Sequence, residues 1–286
     1  MAIVNIRQQV MQDFRDKVIL EPKLGRKLRA LDRQIVTQFR IDMLKGETTR
    51  AVIFQPELQE ILAGHYEVVV DVFEGRIADR APDNVALTAD EEANLTAALG
   101  AFIVARAATQ SKVISSTTQT DMGVAAQIVI GETPDQVERS VAASAILSRR
   151  LQAREGAIAS LETQAVAEAT KLAEFDVFAK KDPLSLQRPS EQMFKEWVTV
   201  GDERVRPAHA AADAQVVPVE SLFNVGGQQL RFPGDTSFGA TAGNVINCRC
   251  SAVYDVGAVF AQRRRVGVAP VTETEPTAAL VTSLGG

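Results

Sequence analysis

Cysteine is nearly absent: of 286 residues only Cys248 and Cys250 are cysteines. Two thiols this close together exclude a disulfide framework and suit a chain made in a reducing cytosol. Long apolar runs are missing too, since no stretch reaches the roughly 18 residues that a membrane span requires. Met1 to Val10 alternates polar and apolar residues and lacks the apolar core of a secretion signal, so the expectation is a soluble chain with no membrane contact. An excess of basic residues is also lacking, because 31 Lys and Arg stand against 36 Asp and Glu, a net charge of −5. Binding to polyphosphate across the whole surface is thereby excluded, and any DNA contact must be local. The pair Gly226 and Gly227 has no G-x-x-x-x-G-K around it and reads as a turn, not a nucleotide loop. No internal repeat of 20 to 50 residues argues for a solenoid or propeller.

What the sequence does have is apolar content, 46% of the chain, enough for two domains. From about residue 24, Leu24, Leu28, Leu31, Ile35 and Phe39 step by three and four and predict one helical face. Lys23, Arg26, Lys27, Arg29 and Arg33 form a basic stripe beside it, read as a solvated face or as a contact for phosphate or an acidic partner. A second helix follows Pro56, with Leu58, Ile61, Leu62, Val69 and Val72 in register and His65 on the same face. His65 is expected to be packed and hydrogen-bonded, not a metal ligand. Thr88 and Glu91 have capping-box spacing before Leu95, Leu99 and Phe102, and Thr133, Pro134 and Gln136 repeat the start signal. After Gly156 the face Ile158, Leu161, Ala165, Ala169, Leu172, Phe175 predicts another helix, with its Glu and Lys on the surface.

Two prolines in K-K-D-P-L-S-L-Q-R-P-S, Lys180 to Ser190, place a boundary there. Beyond it come short β-branched runs, Trp197 to Val200 and Val216 to Val219, punctuated by glycine. The predicted class is α+β: a helical domain over 1–180, a small loop-rich module over 190–258 that includes a helix from about 157, and a flexible tail over 266–286.

Three blocks in that module carry a resemblance. W-V-T-V-G-D-E-R-V-R-P-A-H runs from Trp197 to His209 and includes Asp202, Arg204 and Arg206, with Asp213 four residues on. F-N-V-G-G-Q-Q-L-R-F-P-G-D follows from Phe223 to Asp235, with Gly226, Gly227, Pro233 and Gly234, and N-C-R-C closes the set as Asn247, Cys248, Arg249 and Cys250. In content and order they resemble the Mu F-like head-morphogenesis family of tailed bacteriophages, over roughly residues 158–255. S-L-E-T at Ser160 to Thr163 stands where such proteins often carry an R-T-E-T-like segment, with Leu161 in place of Arg or Thr. Asp213 is followed by Ala214 where many relatives have Asp-Gly, so if that glycine takes φ > 0 the turn here is expected to differ.

The resemblance implies a non-enzymatic minor capsid protein, present in few copies in the capsid interior near the portal vertex and made in the bacterial host cytoplasm. Its implied partners are portal and capsid proteins, with packaged DNA as a further contact for the Lys23–Arg33 stripe or for Arg263, Arg264 and Arg265. The alternative is a phage-derived enzyme or toxin effector, nuclease or peptidase-like, using Asp202, Arg206 and His209.

Within the blocks, strand alternation would turn Cys248, Cys250, Ala252 and Tyr254 to one side and Asn247, Arg249, Ser251 and Val253 to the other. The reading takes no cofactor. Some relatives have a Cys-x-x-Cys where this chain has Arg206 and His209, which makes a zinc site of His209, Cys248 and Cys250, with Asp202 or Asp213 as fourth ligand, the alternative. Asp202, Arg204 and Arg206 are expected to form an ion-pair network, and Trp197 to anchor the core with its indole N–H on a backbone acceptor.

Overall fold

A computed structural model describes residues 6–78, 86–130, 135–179 and 194–254. The predicted boundary at 180–190, the tail at 266–286 and Arg263 to Arg265 lie outside these residues. Helices α1 (Ile6–Lys45), α2 (Gln55–Phe73), α3 (Ala89–Val129) and α4 (Gln136–Ala179) are followed by β1 (Phe194–Thr199), α5 (Pro207–Ala212), β2 (Val216–Pro218), β3 (Phe223–Val225), β4 (Gln228–Leu230), α6 (Ala242–Val245) and β5 (Cys250–Tyr254). The class is α+β, as the sequence predicts. Among the described residues no helix is long and apolar enough to cross a membrane.

Helix starts follow the local chemistry. The Thr88–Glu91 capping box forms: the Glu91 carboxylate accepts the Thr88 N–H at 2.8 Å, and Thr88 Oγ1 accepts the Glu91 N–H at 3.4 Å. Helix α4 is capped by a residue the sequence reading passed over. Asp135 Oδ1 accepts the Glu138 N–H at 2.8 Å, while Thr133 and Pro134 lie outside the described residues. Helix α1 starts well before residue 24 and runs through Pro22. Pro22 and Val18 are both exposed, so water can take the Val18 carbonyl that the proline leaves without a donor.

The described residues fall into two compact units that are not consecutive stretches of chain. One draws on Glu21–His65 and Ile103–Ala159. Its core contains the predicted Leu24, Leu28, Leu31, Ile35 and Phe39, all buried. Asp121 takes Arg150 at 2.6 Å and Arg154 at 3.2 Å, and the Gln136 amide donates to the Met43 and Leu44 carbonyls that end α1. The basic stripe Lys23, Arg26, Lys27, Arg29 and Arg33 is exposed, with Arg29 held by Glu155 at 2.6 Å.

The other unit draws on Met1–Leu20, Tyr66–Phe102 and Ser160–Gly285 and holds the strands. Its three-stranded sheet has the order β2-β1-β5, antiparallel throughout, with Trp197 opposite Ala252 and Thr199 opposite Cys250. Val198 and Val253 pack against Ile6 and Val10 of α1. Here the sequence reading of α4 needs correction. Its Glu and Lys are not on the surface: Glu162, Glu168, Lys171 and Glu174 are all at most 2% exposed, so this end of α4 is buried all round. An apolar stripe marks one packed face and cannot reveal that the polar face is packed as well.

Glu162 takes the Tyr66 hydroxyl at 2.6 Å and Glu174 the N–H groups of Ile77 and Ala78 at 3.0 Å, while Glu168 and Lys171 belong to one ionic network. Lys171 Nζ, with three N–H groups, lies among four acceptors: Asp13 at 3.0 Å, Glu168 at 3.0 Å, Ser251 Oγ at 2.6 Å and the Ala252 carbonyl at 3.3 Å. Glu168 also takes Lys17 at 3.2 Å and the Ala252 N–H at 2.9 Å. Two cations therefore meet two anions, and strand β5 is held through its backbone. Removing one member leaves an uncompensated buried charge, at a cost of about 3–5 kcal/mol. Lys171→Met is expected to lose that much in urea denaturation, whereas a loss below about 1 kcal/mol would show the network to be dispensable.

The first unit also holds two groups whose titrations oppose each other. Burial, then Lys27 and Lys23, lowers the His65 pKa to about 4. Burial raises that of Asp32 to about 6, with Arg154 opposing and Glu155 adding. Between about pH 4 and 6.5 the unfolded chain binds the His65 proton that the folded chain refuses, so this term adds stability as pH rises and loses it as pH falls. Between about pH 4 and 6 the folded chain keeps the Asp32 proton that the unfolded chain gives up, so this term has the opposite sign. Relative to the parent, Asp32→Asn is expected to gain stability more steeply with pH across this window, and His65→Gln less steeply. Urea midpoints at stepped pH read both slopes, and a change of the same sign in the two variants would contradict the assignment.

Candidate functional site

The three motif blocks come together in the second unit. The first enters on β1, where Trp197 is fully buried, its ring edge-on to His209 at 5.6 Å and to Phe223 at 5.3 Å. Trp197 anchors this core as expected, but its indole N–H meets no nitrogen or oxygen acceptor. The polar neighbour it has is the Cys250 sulfur, whose thiolate form it favours. Pro207 opens α5, where its missing N–H leaves no bond unmade, and two residues on His209 is 1% exposed.

Arg206, the residue capping α5, turns away from Asp202. Its guanidinium donates to the carbonyls of Gly243 and Ile246 and so fastens α6 to the start of α5. Helix α6 in turn supplies Asn244. The Asn244 amide nitrogen donates to the Val225 carbonyl at 2.7 Å, and because a carbonyl only accepts, the amide orientation is fixed. Asn244 Oδ1 therefore faces His209 Nε2, 3.0 Å away, and Nε2 must carry a proton.

The other imidazole nitrogen faces sulfur. His209 Nδ1 lies 3.3 Å from Cys250 Sγ and 3.5 Å from Cys248 Sγ. Both thiols are free and buried. Cys250 opens β5, but Cys248 precedes the strand, in a turn where Asn247 has φ 54°. Simple alternation from 247 onward therefore does not describe the segment, yet both sulfurs reach one imidazole. All three donor atoms lie within 4.8 Å of one another. Burial opposes ionisation of Cys248, but its contacts with Cys250 and then with His209 outweigh it and lower its pKa. Cys250 shifts the other way, raised by burial and then by its neighbour Cys248.

The second block frames this centre. Gly226 and Gly227 have φ of 58° and 78°, the conformation of a two-residue hairpin turn between β3 and β4, and a Cβ on Gly226 would come 3.1 Å from that of Ala208 in α5. The Pro233–Gly234–Asp235 turn sits on α4: a Cβ on Gly234 would be 2.7 Å from Gln164 Cγ. Asp235 accepts the N–H groups of Arg231 and Ser237, both at 2.8 Å. Gln164 donates to the carbonyls of Pro233 at 3.2 Å and Cys250 at 3.1 Å, tying the second block to the third. Lys195, buried beneath, donates to the Arg231 carbonyl at 2.7 Å, and burial, aided by Arg231, lowers its pKa to about 7.

The sequence therefore identified much of the centre and misassigned several roles. Asp202 does not pair with Arg206; its carboxylate takes Arg249 at 2.5 Å and the Arg204 backbone N–H at 3.1 Å. Asp213 accepts the Thr199 N–H at 2.7 Å, and neither aspartate joins the His209–Cys248–Cys250 group. Asp202, Arg206 and His209 face three different sets of partners. Asn244 and Gln164 were missed, because a lone amide in a loop or a helix carries no spacing pattern. Two residues from Phe223 and three from Cys248, respectively, Val225 and Val245 close the core around the centre, both at most 2% exposed.

Comparison with known proteins agrees with the blocks. Residues 118–253, a little under half of the chain, match the family described as Phage Mu protein F like protein, and the match begins in α3, upstream of the motif blocks. No curated protein and no solved structure matches the chain significantly.

Ala214 gives a local test. Its φ is 62°, a left-handed conformation that favours glycine, while its N–H donates to the Trp197 carbonyl at 2.8 Å. The Asp-Ala turn thus keeps the glycine-like conformation instead of departing from it. A Cβ there costs about 1–2 kcal/mol. Ala214→Gly is expected to raise stability by about 1 kcal/mol in urea denaturation, and a destabilised variant would refute the strain.

Proposed function

With a phage Mu protein F like segment as premise, we propose that this protein is a minor head protein of a tailed phage, a low-copy component of the capsid interior at the portal vertex. The observation that carries the reading is the family match over 118–253 together with the joining of its three blocks around His209. The module is occupied with holding itself together: Arg206, Asp213, Asp235 and Asn244 all bond to backbone carbonyl or N–H groups. Such an arrangement suits a rigid docking element better than a site that must admit a substrate.

The helices supply surface for partners. Ile53, Val113, Ile130, Val137 and Val141 are exposed apolar residues that a portal or capsid contact would cover. The exposed stripe from Lys23 to Arg33 is the local basic surface that packaged DNA would meet, in a chain whose net charge is −5. Mass spectrometry of purified virions and portal-bearing precursors is expected to find the chain at a few copies per particle. Its absence from every particle fraction, with the chain expressed, would refute a virion role.

A further inference from the structure

We propose that His209 Nδ1, Cys248 Sγ and Cys250 Sγ bind a zinc ion that staples α5 to the start of β5. The argument rests on the geometry of the donors. Zinc holds thiolate at about 2.3 Å and imidazole at about 2.0–2.1 Å in a tetrahedron, which sets neighbouring sulfur and nitrogen ligands about 3.6 Å apart. The two observed sulfur–nitrogen separations are 3.3 and 3.5 Å, and the sulfurs lie within 4.8 Å of each other. Three corners of the tetrahedron are thus already in place.

The surroundings supply what such ligands need. A metal-bound imidazole usually donates its second N–H to a fixed acceptor, and Asn244 Oδ1 is one, oriented by the Val225 carbonyl. Nδ1 of the neutral ring is then the nitrogen with the lone pair, and it faces both sulfurs. Trp197 contributes a second, independent observation. Its indole N–H is fully buried, has no nitrogen or oxygen acceptor, and has the Cys250 sulfur as its polar neighbour. Without a charged acceptor this donor is an unbalanced desolvation cost; a zinc-bound thiolate supplies one.

Soft thiolates with one imidazole select zinc over magnesium or calcium. Among the described residues no other His, Cys, Asp or Glu joins the group, and the fourth corner falls to an oxygen ligand such as water. Binding exchanges thiol protons for the metal, so uptake releases protons and weakens at low pH.

The test uses the full chain without an affinity tag, its thiols verified as reduced, with Zn2+ alone and Co2+ as a coloured substitute. Elemental analysis is expected to give one zinc per chain, and cobalt to show thiolate charge-transfer absorption. X-ray absorption at the zinc edge is expected to show sulfur at about 2.3 Å and nitrogen at about 2.0–2.1 Å. Cys248→Ser and Cys250→Ser should abolish stoichiometric uptake, and Asn244→Ala should weaken it about 10–100-fold. No uptake by the reduced chain, a zinc edge with only oxygen and nitrogen neighbours, or undiminished uptake by the double serine variant would each overturn the proposal. The absorption measurement needs no variant to fold. Metal content is independent of particle association, so this inference and the virion reading fail separately.

Discussion

The carboxylate of Glu168 is the point on which the strand-bearing unit turns. It lies on α4, fully buried, and receives Lys17, Lys171, Ser251 and the Ala252 N–H. An anion in such a place is tolerable only because two ammonium groups and the neutral donors Ser251, Ala252 and Gln164 converge on it, and Asp13 balances the second lysine. That closure has a structural consequence: β5 is fixed to α4 and α1 through its backbone and through Ser251, not through apolar contact alone. Everything that starts from β5, including the position of Cys250 at its first residue, inherits that placement.

Strand β5 is accordingly read on both sides. By the pleat, Ser251 and Val253 face one way and Cys250 and Ala252 the other. The first pair meets Asp13, Glu168, Ile6 and Val10, while the Cys250 sulfur faces His209 and Trp197. Gln164 joins the two sides, since its amide donates to the Cys250 carbonyl and to that of Pro233. A helix residue thereby fixes the strand, and the strand presents sulfur to the short helix opposite. Polar contacts of defined direction suit this task because a two-residue error of register would leave several buried groups without partners.

How much of this could be read from the sequence follows from which signals are local. Helix periodicity, the Thr88–Glu91 box and the β-branched runs are local, and α1, α3, β1 and β2 follow from them. The gathering of Trp197, His209, Cys248 and Cys250 was legible only because the motif blocks resemble a family; spacing alone does not bring residues 39 apart onto one imidazole. The ion pairs were misread for the same reason. Asp202 and Arg206 are neighbours in sequence, but Arg206, at the cap of α5, bonds to carbonyls of α6 and the residue after it, and Arg249, from the third block, becomes the aspartate's partner. The burial of Glu168 and Lys171 was invisible, since charge at helical spacing reads as a solvated face until a strand is known to lie against it.

Two non-glycine residues of positive φ bracket the same centre and show where the constraint is strongest. Ala214 lies between α5 and β2, and Asn247 between α6 and Cys248. Asparagine enters the left-handed region at small cost, whereas alanine does so only when its surroundings demand it. At Ala214 the demand is visible: its N–H must reach the Trp197 carbonyl, and one residue later the Gln215 carbonyl must receive the Trp197 N–H. Both backbone groups of the tryptophan are thus bound at the turn, and with them the ring that lies against His209. The strain at Ala214 is small beside the cost of leaving two buried backbone groups and an indole misplaced, so the fold accepts the first to avoid the second.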